Sequence, residues 1–298
     1  MRVAITGASG LIGSALADRL TAHGHQIVRV TRGSSPAPGT VAWDPPAGTI
    51  DAAGLEGCDG VVHLAGAGIA DKRWTDARRR VILESRTLGT DLLVRTLASL
   101  DRPPRVLLSG SAIGFYGERG DEVLTEASPR GSGFLSDVCV AWEAAAAPAA
   151  DAGIRTTFLR TGIVMTSRGG ALGKVLPLFK LGVGGRLGSG RQWWSWISIA
   201  DEVGAMLWLL DHDMAGPVNL TAPAPATNRE WTKTLGATLG RPTFVAVPKF
   251  GPKLLLGSDL GEELLFTSAR VEPTALQAGG YRFEHPTLEA GLASAVEH

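Results

Sequence analysis

Eight residues, Thr6-Gly7-Ala8-Ser9-Gly10-Leu11-Ile12-Gly13, constrain this chain more than any other stretch. They follow a short β-branched run, RVAIT at 2–6, and lead into a segment of helical period at 11–23. Three glycines at GxxGxxG spacing in a strand-to-helix turn meet three demands. One serves the turn, one lets a backbone approach a pyrophosphate, and one lets the helix pack closely on the strand. The amides of Leu11 and Ile12 then open a helix, where N–H groups and the macrodipole favour an anion. Gly7, Gly10, Leu11, Ile12 and Gly13 are therefore the candidate pyrophosphate contacts. A Gly-rich turn alone is a weak signal. Here the strand before it, the helix after it and a second strand at 26–31 agree with dinucleotide binding.

Apolar β-branched runs alternate with helix-period segments through the first half of the chain, the pattern of βαβ units and a parallel sheet. Strands are predicted at 2–6, 26–31, 40–43, 60–64, 104–109 and 155–160, and helices near 11–23, 75–99 and 135–151. In the helix at 75–99, Val81, Leu88, Leu92, Val94 and Leu97 give the predicted apolar face. The fold class is α/β: a doubly wound parallel-sheet Rossmann domain with a smaller C-terminal α/β region. Residues 1–165 are read as the nucleotide-binding domain, with 190–225 returning to it. Residues 166–298 hold a Gly-rich loop and a smaller substrate-side region. In Gln192-Trp193-Trp194-Ser195-Trp196 alternation puts Trp194 and Trp196 on one strand face and Trp193 on the other.

Composition removes several function classes. With 29 basic and 29 acidic side chains there is no broad basic field for a nucleic-acid backbone. Cys58 and Cys139 are too few for a disulfide framework or a four-ligand zinc site, and six histidines show no ligand spacing, so no metal is expected. No run approaches the ~18 apolar residues of a membrane helix, and no leader pattern opens the chain. The expectation is a cytoplasmic monomer or homodimer acting on an unidentified small molecule, without nucleic-acid or membrane partners.

At the end of the second strand, where an acid often accepts hydrogen bonds from the adenosine ribose, the chain reads Thr31-Arg32-Gly33-Ser34. A guanidinium there matches a 2′-phosphate in charge and forked geometry. NADP(H) is the expected cofactor.

The motifs TGASGLIG (6–13), TRG (31–33), HLAGAGI (63–69), KRW (72–74), SRTLGT (85–90), SGSAIGFYG (109–117), FLSDVCVAWE (134–143), RTGIVM (160–165) and GSGRQWWSWISIADEV (188–203) together resemble an extended short-chain dehydrogenase/reductase. More narrowly, the chain resembles the atypical NADP-binding epimerase-family group over essentially its whole length, including that family's C-terminal domain at 245–292. The resemblance implies that Thr31 and Arg32 face the adenosine and that Leu64 and Ala65 line the cofactor. It also implies that Arg86 reaches the cofactor from a position where extended members usually carry Asn, and that Ile163 and Val164 lie near the nicotinamide. Ser111 aligns with the serine that hydrogen-bonds the reacting oxygen.

The same resemblance exposes a departure. Active members follow that serine with YxxxK, a tyrosine acid/base whose pKa a lysine lowers. Leu135 and Cys139 occupy those positions, and no lysine lies between 73 and 173. Tyr116 and Tyr281, the only tyrosines, have Gly120 and His285 four residues on. Tyr116, Asp137, Glu143 and Cys139 are the candidate substitutes, each with an ordinary structural alternative. Ser111 and Tyr116 are carried forward as the catalytic candidates. His63, within an apolar strand, reads as a satisfied core histidine.

Three functions remain in view. The leading one is an NADP(H)-dependent oxidoreductase or epimerase-like enzyme on an unknown small substrate. A rival is an NADP(H)-responsive binding module whose proton relay is lost. The third is a nucleotide-sugar epimerase with a relocated acid/base, for which Arg186 and Arg191 are the candidate diphosphate ligands.

Overall fold

The computed structural model describes residues 1–33 and 39–297. Eight strands make the main sheet: β1 (Arg2–Thr6), β2 (Gln26–Arg32), β3 (Thr40–Asp44), β4 (Thr49–Ile50), β5 (Gly60–His63), β6 (Val106–Ala112), β7 (Arg155–Thr161) and β8 (Gly216–Leu220). Their order is β8-β7-β6-β5-β1-β2-β3-β4, and every pair is parallel except β3 with β4. The order reverses at β1, which has β2 on one side and β5 on the other. In such sheets ligands bind outside the carboxyl ends of the strands at that reversal.

The central strands are buried on both faces, which is why β5 and β6 read as nearly unbroken apolar runs. On one face α1 (Leu11–Ala22) presents Leu16 and Leu20 against Val3, Ile5 and Leu108. On the other, α2 (Asp76–Ala98) presents Leu93 and Leu97 against Val61 and Leu107, and α3 (Phe134–Ala146) packs beside it. Each fully buried Leu contributes about 1.5–3 kcal/mol.

The structure departs from the sequence reading in several places. Within α2 the buried row runs through Ile82, Arg86, Gly89, Leu93 and Leu97, while Val81 and Leu88 are 46% and 47% exposed. Leu92, Val94 and Leu97 are buried as expected, but a charged residue and a glycine also sit in the buried row, where counting apolar residues alone placed Val81 and Leu88. The helix expected to reach 151 ends at Ala146 and tightens to a 3₁₀ turn over Ala147–Ala152, where Pro148 lacks a donor. The strand that the alternating tryptophans imply breaks at Ser195 into Trp193–Trp194 and Trp196–Ser198. There the Ser195 hydroxyl donates to the Ala269 carbonyl at 2.8 Å and accepts from the Val271 amide at 2.8 Å.

Beyond β7 the chain adds α4 (Gly170–Lys180), α5 (Ile199–Asp211), α6 (Asn228–Thr238) and α7 (Leu288–Glu297). Here Trp194, Trp196, Trp231, Phe179 and Leu292 form a separate core. Trp194 and Trp196 share it, as alternation implies. Trp193 lies outside, with the Arg270 guanidinium 4.6 Å over its ring. α5 packs on α1. Asp201 in its first turn, fully buried, accepts from the amides of Glu284 and His285 at 2.7 and 2.9 Å and so ties down the C-terminal segment. Among the described residues no helix is long and apolar enough to cross a membrane.

Candidate functional site

After Thr6 the chain turns through Gly7 at φ +70°, a conformation that costs an L side chain about 1–2 kcal/mol. A Cβ at Gly7 would also lie 3.0 Å from the Leu64 backbone. Gly13 meets the turn from α1, where a Cβ would lie 2.2 Å from the Gly7 carbonyl oxygen. The Gly10 amide donates to that oxygen at 2.9 Å and closes the turn. No side chain caps α1, and among the described residues nothing accepts from the amides of Leu11, Ile12 or Gly13. Three unpaired N–H groups at the positive end of a twelve-residue helix form an anion seat.

The facing loop after β5 is fixed by a chain of hydrogen bonds whose proton directions are determined. Thr90 Oγ1 spends its proton on the Arg86 carbonyl at 2.6 Å, so it accepts from His63 Nε2 at 2.9 Å. His63 Nδ1 is then bare and accepts from the Thr6 hydroxyl at 2.7 Å. Thr6 Oγ1 in turn accepts from the amides of Leu64 and Ala65 at 3.1 and 3.2 Å. Burial first, then the Arg86 charge, pushes the His63 pKa down to about 4, which keeps this neutral tautomer. His63 is the satisfied core histidine the sequence suggests, and it orients the two loop residues expected to line a cofactor.

Ser111 on β6 pairs in register with Arg160 on β7. Arg160 donates through Nε and Nη2 to the two oxygens of Glu143 on α3 at 2.8 and 2.9 Å, a buried bidentate pair. Ser111 Oγ donates to Glu143 Oε1 at 2.7 Å. The third guanidinium nitrogen donates to the Tyr116 hydroxyl at 3.0 Å, and that hydroxyl donates to Asn219 Oδ1 at 2.7 Å. Phe115 lies 3.4 Å from the guanidinium carbon. Removing one partner of such a buried pair typically costs about 3–5 kcal/mol.

Comparison with known proteins bears on this arrangement. Residues 3–221 match the NAD dependent epimerase/dehydratase family. The chain belongs to that family. Residues 247–295 match a separate domain of unknown function. The chain is 40% identical over 295 residues to an epimerase family protein of Mycobacterium bovis, covering 99% of this chain and 97% of that one. It is 36% identical over 300 residues to human epimerase family protein SDR39U1, covering 99% and 100%. The crystal structure of human SDR39U1 with NADPH matches at TM-score 0.92 and 35% identity over 100% of both chains. A nucleoside-diphosphate sugar epimerase from Corynebacterium glutamicum matches at TM-score 0.81 and 36% identity, over 99% of this chain and 58% of that one. UDP-glucose 4-epimerase of Thermus thermophilus, at 20% identity and TM-score 0.76, shares the fold alone.

Within this epimerase/dehydratase-family chain the structure separates the expected site residues. Gly7, Gly10, Leu11, Ile12 and Gly13 gather at the carboxyl end of β1, against Leu64 and Ala65. Thr31 and Arg32 end β2, with Arg32 exposed; Ser34 lies outside the described residues. Ile163 and Val164 are half-buried in a short parallel pair with Trp196–Ser198. Arg86 is buried on α2. Arg186 donates to the Gly188 carbonyl and Arg191 is exposed.

Tyr116 needs correcting as a catalytic candidate. Its side chain is 0% exposed, its proton is committed to Asn219, and burial raises its pKa above the usual 10. It braces the Arg160 pair rather than facing a ligand. The other substitutes sort as clearly. Cys139 is buried with Sγ 3.6 Å from the Ala112 carbonyl, and burial together with the Glu143 charge pushes its thiol up to about 11. A buried thiol held in its protonated form is a poor nucleophile. Asp137 is exposed and paired with Arg130. Glu143 is the candidate that accepts the Ser111 proton. Arg160 and Asn219, the hub and far anchor of the network, were not singled out from sequence. The available signal was a charged residue closing an otherwise buried strand, which requires an acid opposite.

Proposed function

We propose that this chain is an NADP(H)-binding oxidoreductase or epimerase-like protein of the short-chain dehydrogenase superfamily that acts on a small substrate without a YxxxK pair. The observation that carries this reading is the anion seat. A turn that only bare backbone can make presents the free amides of Leu11, Ile12 and Gly13, in a chain 35% identical along its whole length to a human protein crystallised with NADPH. Those amides suit a pyrophosphate, and Arg32 offers its exposed guanidinium to a 2′-phosphate. Leu64 and Ala65, with Ile163 and Val164, supply apolar walls. Bound there, the dinucleotide supplies hydride chemistry. Ser111 has one proton and gives it to Glu143, so toward a ligand it offers only lone pairs.

That last point supports a second reading, an NADP(H)-responsive module without turnover, because the hydroxyl protons of Ser111 and Tyr116 are both committed, to Glu143 and to Asn219. Fluorescence titration of NADPH and NADH decides the cofactor. Arg32→Ala should weaken NADPH roughly tenfold, about 1.4 kcal/mol, and NADH little. An unchanged NADPH/NADH ratio would remove Arg32 from the argument. Turnover of NADPH with a carbonyl panel, or of NADP⁺ with an alcohol panel, separates the enzyme from the module.

A further inference from the structure

Two arginines are buried near the carboxyl edge of the sheet, and they are treated differently. Arg160 is met by a bidentate carboxylate. Arg86, 8% exposed, is not. Its Nη1 donates to the carbonyls of Ala67 and Ile82 at 3.0 and 3.1 Å, and its guanidinium carbon stands 4.9 Å from the centroid of the Trp142 ring. Among the described residues no carboxylate pairs with Arg86, and nothing accepts from its Nε or Nη2. Burial lowers its pKa, with only the Cys139 thiol opposing that effect. A guanidinium buried without a counter-charge costs several kcal/mol, so the fold maintains an unfavourable charge at this point.

The location gives the charge a use. Arg86 reaches the loop after β5, where a Cβ on Gly66 would lie 3.0 Å from its guanidinium carbon. It acts electrostatically on Cys139, which also interacts with Ser111. Arg86 thus stands at the loop after β5, held by the Ala67 carbonyl and packed on Trp142 of α3, whereas the free amides of α1 open from β1. The unpaired Nε and Nη2 form one edge of a planar fork, the geometry that takes two oxygens of a carboxylate or phosphate.

We propose that Arg86 binds the carboxylate or phosphate group of a small-molecule substrate, a second oxyanion site separate from the seat for the dinucleotide. This rests on the NADP(H) reading and adds a substrate class to it: an oxyanion-bearing metabolite in place of an uncharged one. The dinucleotide, to which the resemblance assigns Arg86, is the other source of such a group; the proposal reassigns the guanidinium to the substrate, and the experiment tells the two apart.

Intact protein saturated with NADPH is titrated calorimetrically with inorganic phosphate and with malonate, at ionic strength held constant with chloride. Saturable binding is expected, with a dissociation constant on the order of millimolar. It should weaken at least tenfold in Arg86→Gln and in Arg86→Lys, which keeps the charge but loses the fork. NADPH affinity, read separately by fluorescence, should change less than threefold in both variants. Absence of saturable anion binding to the loaded wild-type protein overturns the proposal. So does a tenfold loss of NADPH affinity in Arg86→Gln, which would give the guanidinium to the dinucleotide. Should the protein retain no NADPH, the amide-seat reading fails instead, and the same titration on the free protein still judges Arg86. If Arg86→Gln does not fold, Arg86→Lys and the wild-type titration decide.

Discussion

Glu202 offers the sharpest quantitative test, because a fully buried carboxyl must leave a signature in stability against pH. It sits in the first turn of α5 at 0% exposure. The Thr161 hydroxyl donates to its Oε1 at 2.8 Å, while Oε2 is buried with no hydrogen-bond partner among the described residues. Burial, opposed only by the Thr161 bond, raises its pKa from 4.5 to about 8. Between those values the folded chain keeps a proton that the unfolded chain has released, so stability falls as pH rises, by about 1.4 kcal/mol per pH unit. The contribution is complete below 4.5 and lost above 8. His63 works in the opposite sense. Its pKa, depressed from 6.5 to about 4, makes stability fall as pH drops through that window. The two slopes oppose each other between 4.5 and 6.5, and Glu202 acts alone from 6.5 to 8. There the wild type should lose about 2 kcal/mol, a Tm decrease of about 4 °C for a chain of this length. Glu202→Gln keeps the acceptor for Thr161 and removes the titration. Its Tm, followed by circular dichroism from pH 6.5 to 8.5, should be flat across the interval. An equal alkaline decline in the variant would refute the assignment of that slope to Glu202, whatever the variant's absolute stability.

Other perturbations read the site itself. Gly13→Ala drives a Cβ to 2.2 Å from the Gly7 carbonyl oxygen, so Tm should fall by an amount equivalent to about 1–3 kcal/mol and NADPH affinity at least tenfold; retention of wild-type affinity would show that the turn does not seat the pyrophosphate. Tyr116→Phe strands Asn219 Oδ1 and leaves Arg160 Nη1 with the Glu126 carbonyl at 3.4 Å, costing about 1–3 kcal/mol by denaturant unfolding, yet should leave NADPH affinity within twofold. Neither Cys58 nor Cys139, both buried and with raised pKa values, should react with Ellman's reagent until the protein is denatured; rapid labelling of native protein would contradict the packing around α3.

What the sequence made legible follows from how local each signal is. The turn at 6–13 could be read because glycine spacing, strand and helix are contiguous, and each glycine has a steric reason within a few residues or at the next loop. The strand pattern could be read because β5 and β6 are buried on both faces, which leaves an apolar run and nothing else. The buried face of α2 was legible only at Leu92, Val94 and Leu97, because Arg86 and Gly89 occupy buried positions that hydropathy assigns to solvent. The Ser111 network was half legible. Glu143 stood out as an acid on the helix that lacks YxxxK, but its partner Arg160 lies seventeen residues away and its brace Asn219 another fifty-nine. Only the sheet register brings them together, since β6 pairs with β7 and β7 with β8. That register also explains why Tyr116 misled. Five residues after Ser111 it looks close enough to share a ligand, yet the 3₁₀ turn at Ile113–Tyr116 carries its ring behind the sheet edge and onto Arg160. On the helix without a tyrosine–lysine pair, Glu143 takes the serine's proton, and Arg160, buried on the next strand, holds that carboxylate in place.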